Sequence, residues 1–234
     1  MNKLELLHGS DHIIEKPSFH IGRKNNDYGQ GFYCTKENSM AMEWACKQNT
    51  NGFANRYSLD ISSLKILNLL DGHYNILHWM ALLLQNRTFR LSSEIAIDAR
   101  EYIIKNFSID LSGYDLVIGY RADDSYFSFA ESFLHNGLSL SSLNKALRLG
   151  KLGTQIVLIS ENAFKKLTFI NAEPAKKELY YPKFITRDIE ARETYRNEIR
   201  KSKSYKDDIF MLDILRKEMK EDDIRIQRIV SKWC

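Results

Sequence analysis

The apolar positions of the chain form two kinds of pattern, short runs and longer segments with helical spacing. The short runs predict strands at residues 4–7, 31–35, 54–60, 64–69, 114–120, 154–160 and 166–170. The segments with helical spacing predict helices at residues 39–48, 75–87, 92–107, 125–137 and 141–150. Strands and helices are mixed without regular βαβ alternation, which favours an α+β fold with a mostly antiparallel or split sheet over a doubly wound fold.

Residues at the predicted helix ends are of the types that start or stop helices. Ser39 is the expected N-cap of its helix, in which Met40 and Trp44 are expected to face inward. Gly137 and Gly150 are expected to end the two helices before them.

The composition changes near Pro174, after which almost half of the residues are charged. Apolar residues keep helical spacing there, which predicts two or three helices. We therefore divide the chain into a globular domain, residues 1–172, and a charged helical extension, residues 173–234. The extension either packs as an amphipathic tail on its own domain or binds a partner.

Bulk composition excludes several classes of protein. The 234 residues carry a net charge of +4, a mild excess without the clustered basic face of a dedicated nucleic-acid binder. The three cysteines have no metal-ligand spacing, so we expect no disulfide scaffold, no metal site and a reducing cytoplasm. Neither a signal-peptide-like start nor a membrane-spanning apolar run is present, so we expect a soluble cytoplasmic protein that does not contact a membrane.

A glycine pair in residues 25–35, NNDYGQGFYCT, raises the question of a phosphate-binding loop. The segment lacks the Gly-Lys-Ser/Thr ending of such a loop, and a strand rather than a helix begins at Gly31. Gly29 and Gly31 are therefore expected to allow a tight turn and a bare backbone edge. Alternation along the strand sends Phe32 and Tyr33 to opposite faces, one toward the core and one toward a cleft.

The order of several short pieces is more specific than any one of them. A strand ending in His8-Gly9 precedes the Gly-Phe-Tyr-x-Thr strand, and a helix containing MEWA follows. This order resembles the ADP-ribosyltransferase superfamily of the His-Tyr-Glu type, and more closely a small uncharacterised bacterial family related to it. The resemblance covers about residues 4–170 and rests on residues 6–10, 22–35, 42–45, 85–87, 114–124 and 154–160.

The resemblance implies a fold of split antiparallel sheets with surrounding helices and a cleft that binds NAD as substrate. Such enzymes break the nicotinamide–ribose bond and transfer ADP-ribose to a macromolecular acceptor, a protein or a nucleic acid. Small proteins of this kind often act as toxins that a partner restrains. The helical extension is then expected to contact an antitoxin or the target.

The resemblance also implies roles for individual residues. His8 would hydrogen-bond the adenosine-side ribose, Gly9 would present its backbone to the nicotinamide amide, and Tyr33 would stack on the nicotinamide ring. Gln155 stands where the superfamily normally has the glutamate that grips the nicotinamide ribose. The remaining implied contacts to NAD come from Ser10, Arg23, Gly31, Phe32, Thr35 and Arg87.

Glutamine at the third position departs from the superfamily pattern, because an amide carries no charge and cannot act as a base. Either Gln155 only positions the ribose, or a nearby acid supplies the charge. Asp123 and Asp124 are the candidates, and Asp124 is equally suited to cap the helix that follows. Glu161 is expected to open the next helix instead.

Three arginines and one cysteine complete the candidate chemistry. Arg23, Arg87 and Arg121 are candidate pyrophosphate clamps, since a guanidinium binds phosphate through two parallel hydrogen bonds, although each also suits an ordinary surface ion pair. Arg87 is the foremost of them because it ends a predicted helix. Cys34 alternates away from Tyr33 and is expected to be a buried small residue rather than a nucleophile.

Two other functions compete with ADP-ribose transfer. The glutamine at position 155 motivates a non-catalytic module that binds NAD, another nucleotide or a partner on the same fold. Removal of RNA 2′-phosphates with NAD is disfavoured, because Tyr33 stands where that reaction requires a second histidine.

Overall fold

The computed structural model describes residues 2–122, 124–149, 153–202 and 208–231. The strands are β1 Lys3–Ser10, β2 Phe32–Cys34, β3 Gly52–Asp60, β4 Ile66–Asn68, β5 Leu116–Tyr120, β6 Thr154–Leu158 and β7 Leu167–Ala175. The helices are α1 Asn38–Ala45, α2 Ile76–Asn86, α3 Glu94–Phe107, α4 Asp124–Leu134, α5 Leu140–Leu149, α6 Glu161–Lys165, α7 Lys177–Ser202, α8 Met211–Arg216 and α9 Ile224–Ser231. The predicted α+β class is confirmed.

Within the described residues, seven strands form two sheets. The three-stranded sheet has the order β1-β3-β7 and is antiparallel throughout. The four-stranded sheet has the order β2-β6-β5-β4, and its β4–β5 pair is parallel while the other pairs are antiparallel. An antiparallel bridge joins Leu7 of β1 to Thr35, the residue after β2, so the two sheets meet where the candidate histidine and tyrosine strands lie.

The two faces of the four-stranded sheet bury different apolar clusters. Leu116 and Leu158 pack with Leu6 and Tyr57 of the three-stranded sheet, so the sheets share one core. Val157 points the other way, into a larger cluster formed with the helices. Alternation along β6 therefore separates a sheet–sheet core from a sheet–helix core.

Helix starts agree only in part with the sequence patterns. Ser93 caps α3 by accepting a hydrogen bond from the Ala96 amide nitrogen. The prediction for Ser39 is wrong, since α1 begins at Asn38 and its N-cap is Glu37, which makes no side-chain capping bond. The predicted glycine stop at Gly150 lies outside the described residues.

The described part of the chain beyond the last strand contains helices α7, α8 and α9, which pack on the elements that precede them. Strand β7 continues to Ala175, so the predicted boundary between residues 172 and 173 falls inside it. Met211, Ile214 and Ile226 are fully buried in the large sheet–helix cluster. Helix α7 packs against α1, α4 and α5. The extension therefore shares the core of the domain that precedes it.

A search of the described ranges finds no helix long and apolar enough to cross a membrane.

Candidate functional site

A cavity of about 830 Å³ opens where β1, β2 and β6 come together. Residues from both sheets, from the segment before β2, from the end of α2 and from α7 form its walls. Seven of the candidate site residues given by the sequence line it: His8, Gly31, Phe32, Tyr33, Arg87, Arg121 and Gln155. Lining residues far apart in the chain thus meet in one cavity.

His8 is oriented by two contacts. Its Nδ1 atom lies 2.7 Å from the main-chain oxygen of Tyr33, and its ring stacks on Phe32 with 4.3 Å between centroids. A carbonyl oxygen only accepts, so Nδ1 carries the proton and Nε2 of the neutral ring is an acceptor. Burial lowers the pKa of His8, against the opposing effect of the Tyr33 hydrogen bond, and this favours the neutral ring.

Tyr33 is fixed at its phenolic end. Its hydroxyl donates to the Gly29 carbonyl oxygen at 2.6 Å and accepts from the Tyr28 amide nitrogen at 3.1 Å. Burial raises the pKa of Tyr33, so the phenol stays protonated and keeps donating. The ring lies on the cavity wall with its hydroxyl occupied, so its flat surface is the part that can contact a ligand.

Gly29 and Gly31 have the two structural roles expected of them, a tight turn and a backbone edge without a side chain. Gly29 adopts φ +76°, a conformation that side chains disfavour. A Cβ atom at Gly31 would lie 2.6 Å from Val157 Cγ1 and 2.8 Å from the Leu158 carbonyl oxygen. The missing side chain at Gly31 therefore lets the chain enter β2 against β6, which sets the position of Tyr33.

Arg87 is held at the wall by a buried carboxylate. Its Nη1 atom lies 3.1 Å from Asp27 Oδ1, and Asp27 Oδ2 accepts from the Ala122 amide nitrogen at 2.9 Å. The guanidinium also lies over the Phe127 ring, 5.1 Å from its centroid. Asp27 is 4% exposed and anchors the foremost candidate arginine.

Gln155 lies on β6 opposite Gly119 and shares the face of Val157, the partner of Tyr33 in β2. The residue is 7% exposed, and its Oε1 atom is buried with no hydrogen-bond partner among the described residues. A buried amide oxygen without a partner is unusual and costs free energy. The side chain therefore keeps hydrogen-bonding capacity that a ligand hydroxyl can use after the amide reorients.

Four of the implied NAD contacts lie away from the cavity wall. A Cβ at Gly9 would lie 2.1 Å from the Ala41 carbonyl oxygen, so this glycine allows α1 to pack on β1. Ser10 Oγ contacts His12, and Thr35 Oγ1 accepts from the Glu37 amide nitrogen. Arg23 is exposed in the segment before β2. None of these four residues is therefore part of the cavity wall.

The remaining candidates differ in how far the structure describes them. Asp123 lies outside the described residues, and Asp124 is the first residue of α4. Glu161 opens α6 and pairs with Lys165 at 2.9 Å, as expected. Cys34 is fully buried, which confirms the expectation of a small core residue, and burial raises the pKa of its thiol.

Comparison with protein families gives one match. Residues 4–169 match the family described as "Protein of unknown function (DUF3990)". The chain belongs to this family. No curated protein and no solved structure matches the chain.

Two groups on the cavity wall of this DUF3990 chain escaped the sequence analysis. Trp44, expected to face the core, lies on the wall with the Arg121 guanidinium 4.6 Å from its ring centroid. Its Nε1 atom is buried and has no hydrogen-bond partner within the described ranges. The second group comes from α7, beyond the family match, and consists of Phe184, Asp188 and Arg192. Their i, i+4, i+8 spacing was the available signal.

The charge of the wall favours an anionic ligand. The basic side chains that line the cavity outnumber the acidic ones, Asp27 and Asp188; they are Lys16, Arg87, Arg121 and Arg192. In a partly enclosed cavity these charges act at low effective dielectric, which strengthens their attraction for phosphate.

Proposed function

We propose that the protein is an ADP-ribosyltransferase that binds NAD in this cavity and transfers ADP-ribose to a macromolecular acceptor, a protein or a nucleic acid. The observation that carries the proposal is the meeting of His8, Tyr33 and Gln155 on one cavity wall, from three strands and both sheets. The volume of about 830 Å³ is in the range of small-molecule sites.

The chemistry of the wall is suited to the parts of NAD. The neutral His8 ring offers Nε2 as an acceptor for a ribose hydroxyl, and the Tyr33 ring offers a flat surface for nicotinamide. The excess of basic side chains suits the pyrophosphate, with Arg87 held in place by Asp27. Gln155 would hydrogen-bond the nicotinamide ribose.

The reaction would break the bond between nicotinamide and ribose C1′. The electron pair leaves with nicotinamide, and positive charge spreads over C1′ and the ring oxygen. An acceptor nucleophile then forms the new bond to C1′ and loses its proton. The site contributes orientation by Tyr33 and His8, together with a hydrogen bond from Gln155. Asp124 is the proposed source of the negative charge that Gln155 lacks.

A non-catalytic NAD- or nucleotide-binding module is the second candidate. The amide at position 155 favours it, because an uncharged group stabilises an oxocarbenium-like transition state less than a carboxylate does. Calorimetric binding of NAD without nicotinamide release would support this alternative.

Incubation with NAD labelled in the adenylate part, together with total cell protein, RNA and DNA, tests the proposal. We expect label on one class of macromolecule and release of nicotinamide. The control is the His8→Ala/Tyr33→Ala double variant, which should give neither. Equal results for the variant and the unaltered protein would contradict the proposal.

We further propose that the activity is that of a toxin that a partner protein restrains. Expression in a bacterial host is then expected to arrest growth, and the Tyr33→Ala variant is expected to grow normally. Equal growth of the two strains at equal protein level would contradict this role.

A further inference from the structure

Helix α7 contacts helices of both layers of the fold and lines the cavity. It packs against α1, which covers the three-stranded sheet, and against α4 and α5, which belong to the sheet–helix layer. Three of its side chains, Phe184, Asp188 and Arg192, line the cavity. Spacing of four residues puts them on one face of the helix.

A buried ion pair anchors α7 in this position. Arg187 Nε lies 3.0 Å from Glu43 Oε2, and Arg187 Nη2 lies 2.8 Å from Glu43 Oε1. Glu43, on α1, is only 3% exposed. Two parallel bonds between a guanidinium and a carboxylate fix orientation as well as distance. Tyr180 and Tyr181 add apolar contacts to the cluster beneath α1.

Exposure along α7 separates an inner from an outer face. Phe184, Arg187 and Asp188 are half-buried, whereas Ile185 and Ile189 are exposed. This periodicity is that of a helix packed on a protein surface. Phe184 and Asp188 therefore belong to the packed face, whereas the Arg192 side chain is 59% exposed and lies at the open edge of the cavity. Exposed residues of α7 that do not line the cavity serve as controls.

We propose that α7 is a wall of the nucleotide site itself, with Phe184 contacting a flat base and Arg192 contacting phosphate. The inference rests on the proposed function and adds to it a binding element outside residues 4–169, the part that the family match covers. Asp188 holds the arginine through its Oδ2 atom, 2.8 Å from Arg192 Nε. A helix that presents an aromatic ring and a guanidinium to one cavity offers stacking and charge-assisted hydrogen bonds to a nucleotide.

Calorimetric titration of the full chain with NAD tests this role. Phe184→Ala and Arg192→Gln are each expected to raise the Kd by about tenfold, the loss of one base–aromatic contact or one charge-assisted hydrogen bond. Ile189→Ala and Arg196→Gln, on exposed positions of the same helix, are the matched controls and should leave the Kd unchanged.

A third variant tests whether α7 forms part of the NAD site or blocks access to it. Arg187→Met removes the anchor of α7 without touching the cavity, and a wall predicts weaker NAD binding. Tighter binding would show that α7 blocks the site and would overturn the inference, as would unchanged Kd values for Phe184→Ala and Arg192→Gln. If NAD does not bind to the unaltered protein, the proposed function fails and this inference with it. Circular dichroism of each variant checks that it is folded.

Discussion

His8 Nδ1 lies 2.7 Å from the main-chain oxygen of Tyr33, although the two residues are 25 positions apart. This bond connects strand β1 to strand β2 beside the Leu7–Thr35 bridge, and it determines which nitrogen of the imidazole is left to accept a hydrogen bond. The histidine and the tyrosine of the proposed site are thus parts of one hydrogen-bonded unit.

Burial of His8 predicts a pH dependence of stability. Its folded pKa is lowered from the ordinary value of 6.5, so below that pH the unfolded chain binds a proton that the folded chain does not. The free energy of unfolding is therefore expected to fall as the pH drops below about 7, and less so in a His8→Gln variant. Urea unfolding of both proteins at several pH values measures this. An identical pH dependence would contradict the buried, neutral state of His8.

Two variants of Tyr33 separate the contribution of its aromatic ring from that of its hydroxyl group. Tyr33→Phe leaves the Gly29 oxygen and the Tyr28 nitrogen without their partner and is expected to cost about 1–3 kcal/mol of stability. It keeps the aromatic surface, so NAD affinity should change little. Tyr33→Ala removes the ring and should weaken NAD binding by about tenfold or more. Denaturation and calorimetry measure the two effects, and equal NAD affinities of the two variants would exclude stacking on this ring.

Gly31 is predicted to be intolerant of a methyl group. Gly31→Ala would force its Cβ to within 2.8 Å of the Leu158 carbonyl oxygen, so β2 or β6 must move. We expect a loss of about 1–3 kcal/mol together with weaker NAD binding, because Tyr33 moves with the strand. Gly113→Ala is the control, since nothing lies within 4 Å of its Cβ position. A Gly31→Ala variant as stable as this control would contradict the close approach of the two strands.

We predict that Asp27 supports stability and NAD binding by holding the Arg87 side chain in place. Asp27→Asn leaves the guanidinium without its carboxylate and is expected to cost about 2–3 kcal/mol, less than a fully buried pair because the Arg87 side chain is 24% exposed. NAD affinity should fall as well, since the arginine loses its fixed orientation. Asp98→Asn, at an exposed position of α3, should change neither quantity. Unaltered NAD affinity of a folded Asp27→Asn protein would remove Arg87 from the site.

Local patterns predicted much of this fold, because the apolar runs and helical spacings correspond to its main strands and helices. The turn at Gly29 and the strand that carries Tyr33 were also predictable, since the residues from Gly31 onward have the pattern of a strand and not of a helix. The N-cap of α1 was not predictable, because Glu37 occupies that position without a side-chain hydrogen bond and Ser39 lies inside the helix. The α7 wall was missed for another reason. A charged amphipathic helix has the same sequence pattern whether its inner face covers a core or a cavity, so only tertiary packing places Phe184 and Arg192.

The most direct test of the central claim is a crystal structure of the protein with NAD. We predict that the nicotinamide ring lies parallel to the Tyr33 ring at about 3.5–4 Å. His8 Nε2 should accept a hydrogen bond from a ribose hydroxyl, and the pyrophosphate should lie against the arginines of the wall. NAD bound at another surface, or a nicotinamide ring remote from Tyr33, would contradict the account.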